Sequence, residues 1–215
     1  ALGLLAVLLL SSPREPAPAP LLAPALPDAT IPREGDLIFR RGTSPTSRLV
    51  LELERSSGYS HVGILTATHG DFAVLHVSVG EEEPAPDRVR QDALAAFLAP
   101  DRAAAWALLR LIEGSDRAGP LAVAAARHYL EARTAFDAAL DLEDDRRLYC
   151  TELVWRAYRE AGVDLAPGPL ETFPIVGGSR GVLSVGRLAD SLLLHVVAAS
   201  PSTPRTLVPA HGGHP

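Results

Sequence analysis

Bulky apolar residues first gather at Leu37, Ile38 and Phe39 within "REGDLIFRRG" (33–42), a short strand predicted between turn signals and the expected start of the folded part. The period then changes. In "SPTSRLVLELERS" (44–56), Leu49, Val50 and Leu53 fall on one face of a helix, with Ser47 as its expected cap. Two strand-like runs follow, "SHVGILTA" (60–67) and "DFAVLHVSVG" (71–80), joined around "THGD". Beyond the acidic loop "GEEEPAPD" (80–87), "RQDALAAFLA" (90–99) is spaced like a helix. "AAAWALLRLIEG" (103–114) fits helix or buried strand, and the bulky run Trp106–Ile112 favours strand. The Ala-rich "GPLAVAAARHYLEAR" (119–133) reads as a helix, and a late strand is predicted at Leu192–Ala198. Strands in the first half with helices around them predict an α+β domain.

One more helix is predicted from Cys150, because Cys150, Leu153, Val154, Ala157, Tyr158 and Ala161 share a face and Gly162 supplies a stop. That puts the only cysteine of the chain in a helix's first turn, pointing inward. Two readings compete. Free cysteine is often a small buried hydrophobe. A first helical turn also offers unpaired N–H groups and partial positive charge, which favour thiolate and make a nucleophile. The choice depends on whether a base lies nearby in space.

Composition narrows the setting. The 215 residues carry a net charge of −6 without long runs, which argues against a nucleic-acid partner. A single cysteine excludes an intrachain disulfide and a multi-cysteine zinc site. Residues 1–12, "ALGLLAVLLLSS", are too short for a bilayer span of ~20 residues, but they suit a truncated signal peptide or leader. The absence of methionine, even at position 1, accords with a missing natural start. Residues 13–32 hold seven prolines and read as an extended linker. Residues 33–199 then form the domain and 200–215 a disordered tail. Export to the periplasm, cell envelope or beyond is expected, with membrane or cell-wall proximity.

Histidine supplies the candidate base. His61, Gly63 and Leu65 share one strand face; Val74, His76 and Ser78 share another. A turn about Thr68–His69 places opposite each other residues whose numbers sum to 137, which His61 and His76 satisfy. Directly opposed Cβ atoms lie ~4.5–5.5 Å apart, and a one-residue slip would separate the rings onto opposite faces. Cys150, His61 and His76 thereby form a candidate nucleophile, base and orienter. His69 is expected in the turn, His128 and His195 as structural residues, and His211 and His214 in the tail. No H-x-x-x-H or C-x-x-C spacing supports zinc at His61 and His76, and no cofactor is expected.

"GDLIFRRG", "YSHVGIL", "VLHVS" and "RRLYCTELVWRAYREAGV", in that order, resemble the permuted papain-like NlpC-type cysteine hydrolases, the YiiX/YaeF-type amidases. The likeness spans about residues 34–198. It implies a circularly permuted papain-like fold, with an antiparallel sheet packed against helices and the base strand preceding the cysteine helix. Tyr149-Cys150-Thr151-Glu152-Leu153 matches the family's nucleophile motif, and Ser60 to Ile64 its base motif. Many members carry glutamate where His76 stands; a His–His–Cys set resembles the lecithin–retinol acyltransferase branch. The resemblance implies hydrolysis of an amide through a Cys150 thioester, with peptidoglycan peptides or N-acyl amides as substrates. Alternatives are a lipid acyl hydrolase or acyltransferase, and an inactive ligand-binding module.

Overall fold

A computed structural model of the chain describes residues 26, 30–54, 57–78, 87–175 and 178–201. The leader, most of the Pro-rich linker, the acidic loop Glu81–Glu83 and the tail beyond 201 lie outside the described residues. Antiparallel pairing organises the domain. Strand β1 (Leu37–Gly42) pairs with β2 (His61–Thr68), β2 with β3 (Asp71–Ser78), and β3 with β4 (Arg88–Ala93). On its other edge β1 takes β5 (Ala103–Leu111), which pairs with β10 (Leu194–Ala199). The two-residue strands β6 (Ala135–Phe136) and β7 (Arg147–Leu148) complete an eight-stranded sheet, ordered β10-β5-β1-β2-β3-β4-β6-β7. A separate hairpin joins β8 (Glu171–Ile175) to β9 (Gly178–Val182).

Alternation decides what each face buries. Phe39, Ile64, Leu75 and Val77 pack with Leu153, Val154 and Tyr158 of α4 (Cys150–Glu160) and Ala122 and Ala126 of α3 (Ser115–Glu131). Ile38, Leu65, Val74 and Leu108 meet Phe97, Leu98 and Trp106 in a second cluster. The helix layer sits close to the start of β1 because Gly35, at φ +90°, abuts Gly119; a Cβ on Gly35 would come within 2.2 Å of the Gly119 Cα. Tyr158 donates its hydroxyl to the Gly35 carbonyl across the same junction.

The α+β expectation holds, and the strand reading of 103–114 is correct. Several local expectations change. Helix α1 (Pro45–Glu54) is capped by Ser44, whose Oγ accepts the Ser47 N–H at 3.1 Å; Pro45 takes the first helical position, where its missing N–H costs nothing. On the Leu49–Val50–Leu53 face, half-buried Val50 packs against the main cluster, while Leu49 and Leu53 remain 56% and 49% exposed. The first four residues of "RQDALAAFLA" finish strand β4, and the next four make one helical turn, α2 (Leu94–Phe97); pairing with β3 overrides the helical spacing over 90–93.

Candidate active site

Cys150 opens α4, whose burial of Leu153, Val154, Ala157 and Tyr158 follows the expected stripe and whose chain then turns at Gly162, φ +85°. Tyr149 stands at the cap in extended backbone (φ −104°, ψ 172°), and its own side chain does not cap the helix. Two bonds tie this turn to the chain before α5 (Val185–Ala189). The Thr151 hydroxyl donates to the Leu183 carbonyl at 2.6 Å, and the Leu183 N–H donates to the Tyr149 hydroxyl at 3.1 Å. Cys150 itself is half-buried.

The hairpin turns one position later than predicted. His69 (φ +46°) and Gly70 (φ +94°) form the two-residue loop, so paired residues sum to 139, as Ile64 and Leu75 do, rather than 137. Positive φ at both loop positions matches the twist of the flanking strands. A shift of two preserves parity, so His61 and His76 keep a common face as diagonal rather than direct neighbours. They meet: His61 Nε2 lies 3.0 Å from His76 Nδ1, the rings edge-to-face at 5.1 Å between centroids. Gly63 makes this approach possible, because a Cβ there would lie 2.4 Å from the Val74 Cγ1 and 3.1 Å from the His76 Cβ.

The pair is enclosed. His76 has no exposure, Phe97 stacks on His61 at 5.6 Å, and the Arg40 guanidinium lies 4.2 Å above the Phe97 ring centre. Arg40 pairs with His61 across β1 and β2. Burial, then the Arg40 charge, then His76 hold the His61 pKa well below its ordinary value, so its imidazole is neutral at neutral pH. On the far side, His76 Nε2 lies 3.1 Å from Asp92 Oδ2. Arg90 Nε donates to Asp92 Oδ1 at 2.7 Å, and Arg102 stands 3.7 Å from Oδ2. Burial alone would raise the Asp92 pKa; the His76 hydrogen bond, with Arg90, holds it down at about 2.

Cys150 and His61 line one cavity of about 170 Å³. Its walls are mostly apolar: Val50, Leu53, Phe136, Leu140, Phe173 and Val182 among them, with Ser44, Ser47 and Ser60 at one side. Thus α1, which buries little, serves as a cavity wall. Residues 31–167, which hold both histidines, Asp92 and Cys150, match the permuted papain-like amidase enzymes, YaeF/YiiX, C92 family.

The chain belongs to this permuted papain-like amidase family.

As a family member it is an enzyme, a cysteine peptidase or amidase of hydrolase type. The fold agrees with that of metalloprotein yiiX from Escherichia coli O157:H7, at a TM-score of 0.62 and 21% identity, covering 79% of this chain and 98% of that one. No curated protein matches the sequence. Within the permuted papain-like amidase frame, the sequence singled out Cys150, His61 and His76, and the structure places the first two on one cavity and the last two in contact. His69, His128 and His195 are exposed and away from it. Asp92 was missed, because the apolar spacing of 94–98 masked a strand; the alternation of Arg88, Arg90 and Asp92 with Val89 and Gln91 is the signal that reveals it. Among the described residues no cluster of three or more His, Cys, Asp or Glu side chains is arranged to hold a metal ion. The facing nitrogens of His61 and His76 are engaged with each other and with Asp92.

Proposed function

We propose that this permuted papain-like amidase is an exported cysteine hydrolase that cleaves the amide of N-acyl compounds at the cell envelope, through a thioester on Cys150. The apolar cavity shared by Cys150 and His61 carries this reading. A cavity walled by Val50, Leu53, Leu140, Phe173 and Val182 suits a hydrocarbon chain better than the polar stem of a wall peptide. The apolar stretch 1–12 and the proline-rich 13–32 support export.

His61, neutral in its buried site, takes the Cys150 thiol proton as sulfur attacks the amide carbonyl. The resulting oxyanion receives hydrogen bonds from the Cys150 backbone N–H at the start of α4 and from the Tyr149 hydroxyl. The latter uses a lone pair on Leu183 and retains its proton to donate. His61 then protonates the departing amine. Water, deprotonated by His61, opens the thioester to release the acid and restore the thiol. The name of the yiiX structure carries the word metalloprotein, but among the described residues no His, Cys, Asp or Glu cluster fits a resident metal.

Comparing long-chain N-acyl amino acids with muropeptides under single-turnover conditions tests the substrate. Faster acylation of Cys150 as the acyl chain lengthens, lost in Cys150→Ser and slowed about 10²-fold or more in His61→Ala, is the expected result. Faster cleavage of muropeptides, with no dependence on chain length, overturns the N-acyl assignment and returns the enzyme to wall peptides. A second reading, acyl transfer from lipid esters, draws on the His61–His76 pair; partition of the thioester to an added amine rather than water distinguishes it.

A further inference from the structure

We propose that Asp92 is a positioning residue, anchoring a one-way relay Asp92–His76–His61 that dictates which nitrogen of His61 accepts the Cys150 proton. The inference rests on the reading of Cys150 and His61 as nucleophile and base.

An ionised carboxylate accepts hydrogen bonds and donates none. Asp92 Oδ2, 3.1 Å from His76 Nε2, therefore requires the proton of His76 on Nε2. The Nδ1 of a neutral His76 is then a lone pair. At 3.0 Å it faces His61 Nε2, which must carry the proton of that contact. The remaining nitrogen of His61, Nδ1, is left as the basic atom for the cavity that Cys150 lines. Every tautomer follows from one charge, two imidazoles away from the sulfur. A neutral histidine as orienter would by itself leave both tautomers open and bring no negative charge to the imidazolium formed during attack. Asp92 supplies both, passed through His76. Its position is itself held: Arg90 grips Oδ1 at 2.7 Å and 2.6 Å through two nitrogens, and Arg102 approaches Oδ2.

The groups around the relay are few. Arg40 of β1 and Phe97 of α2 flank His61, and Cys150 of α4 shares its cavity; Arg90 of β4 and Arg102 before β5 flank Asp92. Arg40 opposes positive charge at His61; the negative charge of Asp92, relayed through His76, acts in the other direction during proton uptake.

Asp92→Asn and Asp92→Glu, compared with the unaltered enzyme, test the proposal in two independent ways. Nitrogen-15 NMR of histidine-labelled, full-chain Cys150→Ser protein should show His76 with its proton on Nε2 and His61 with its proton on Nε2. In Asp92→Asn both should become tautomer mixtures, and the imidazole pKa of His61 should fall. In turnover, Asp92→Asn should lose kcat on the order of 10- to 100-fold with KM changed less than about twofold, and Asp92→Glu should retain more than Asn. A purely structural role predicts a lowered melting temperature with normal tautomers and kcat, and that result overturns the proposal. So does a His76 imidazolium at neutral pH, or a His61 proton on Nδ1. Should the unaltered enzyme turn over no amide, the amidase reading fails on its own, while the NMR arm still decides the tautomer order.

Discussion

At the scale of single residues, two buried carboxylates are shifted in opposite directions. Glu152, third residue of α4, is fully buried, and its Oε1 accepts a hydrogen bond from Arg156 Nε at 2.8 Å. Burial outweighs the Arg156 attraction and raises its pKa from 4.5 to about 7. An acid whose folded value lies above its unfolded one holds its proton longer in the folded state. The contribution of Glu152 to stability is therefore greatest below about pH 4.5 and falls as pH rises to about 7, where the folded protein must ionise the buried group. Glu152→Gln should flatten this part of the curve, read as melting temperature against pH; an unchanged slope assigns the dependence elsewhere. Asp92 has the reverse sign, its folded value near 2 lending stability that is present above 3.8 and lost as pH falls to 2. Cys150, His61 and His76 were legible in the sequence because residue type and local period carried them. Asp92 was not, since what makes it matter is an imidazole on a neighbouring strand.

Between elements, the β2–β3 hairpin shows how a small local error is absorbed. The turn moved by one residue, from Thr68–His69 to His69–Gly70, because a two-residue loop with positive φ needs Gly70 inside it. The pairing sum moved by two, and face assignment, which depends on parity, survived. Gly63 then becomes the critical residue of the diagonal contact. Gly63→Ala would push a methyl to 2.4 Å from Val74 and 2.9 Å from the Leu75 carbonyl. It should cost about 1–3 kcal/mol in urea unfolding, as overpacking does, and reduce kcat by displacing His76 from His61. Full activity in a stable Gly63→Ala protein would show that the two rings do not depend on this spacing. The helix of Cys150 was readable from its stripe and its stop, and α1 was readable as a helix with an apolar face, but not what that face meets. Its apolar face looks the same in sequence whether it meets a core or a cavity.

The whole molecule is joined where late strands return to early ones. Arg110 of β5 grips Asp36, just before β1, through Nε and a terminal nitrogen, both at 2.7 Å. Asp36 is 2% exposed, so loss of the cation leaves a buried charge without its partner. Arg110→Leu should destabilise the protein by about 3–5 kcal/mol in denaturant, and adding Asp36→Leu should restore part of that loss. A cost below that of ordinary surface substitutions would mean the pair does not secure β5 to β1. The same closure fixes the site: β1 sets Arg40 beside His61, and the chain after β9 latches the turn of Cys150 through Leu183.

By itself the sequence determined the α+β class, the helix beneath the lone thiol, the shared face of two histidines and the family resemblance. These rest on periods of two and 3.6 residues and on motifs a few positions long, which are properties of neighbouring residues. Only the tertiary structure decided that Asp92 closes the relay, that the face of α1 lines a cavity, and that this cavity joins Cys150 to His61. Those facts depend on which distant strands pair and on how helices close over them, and no local pattern of side chains encodes that meeting.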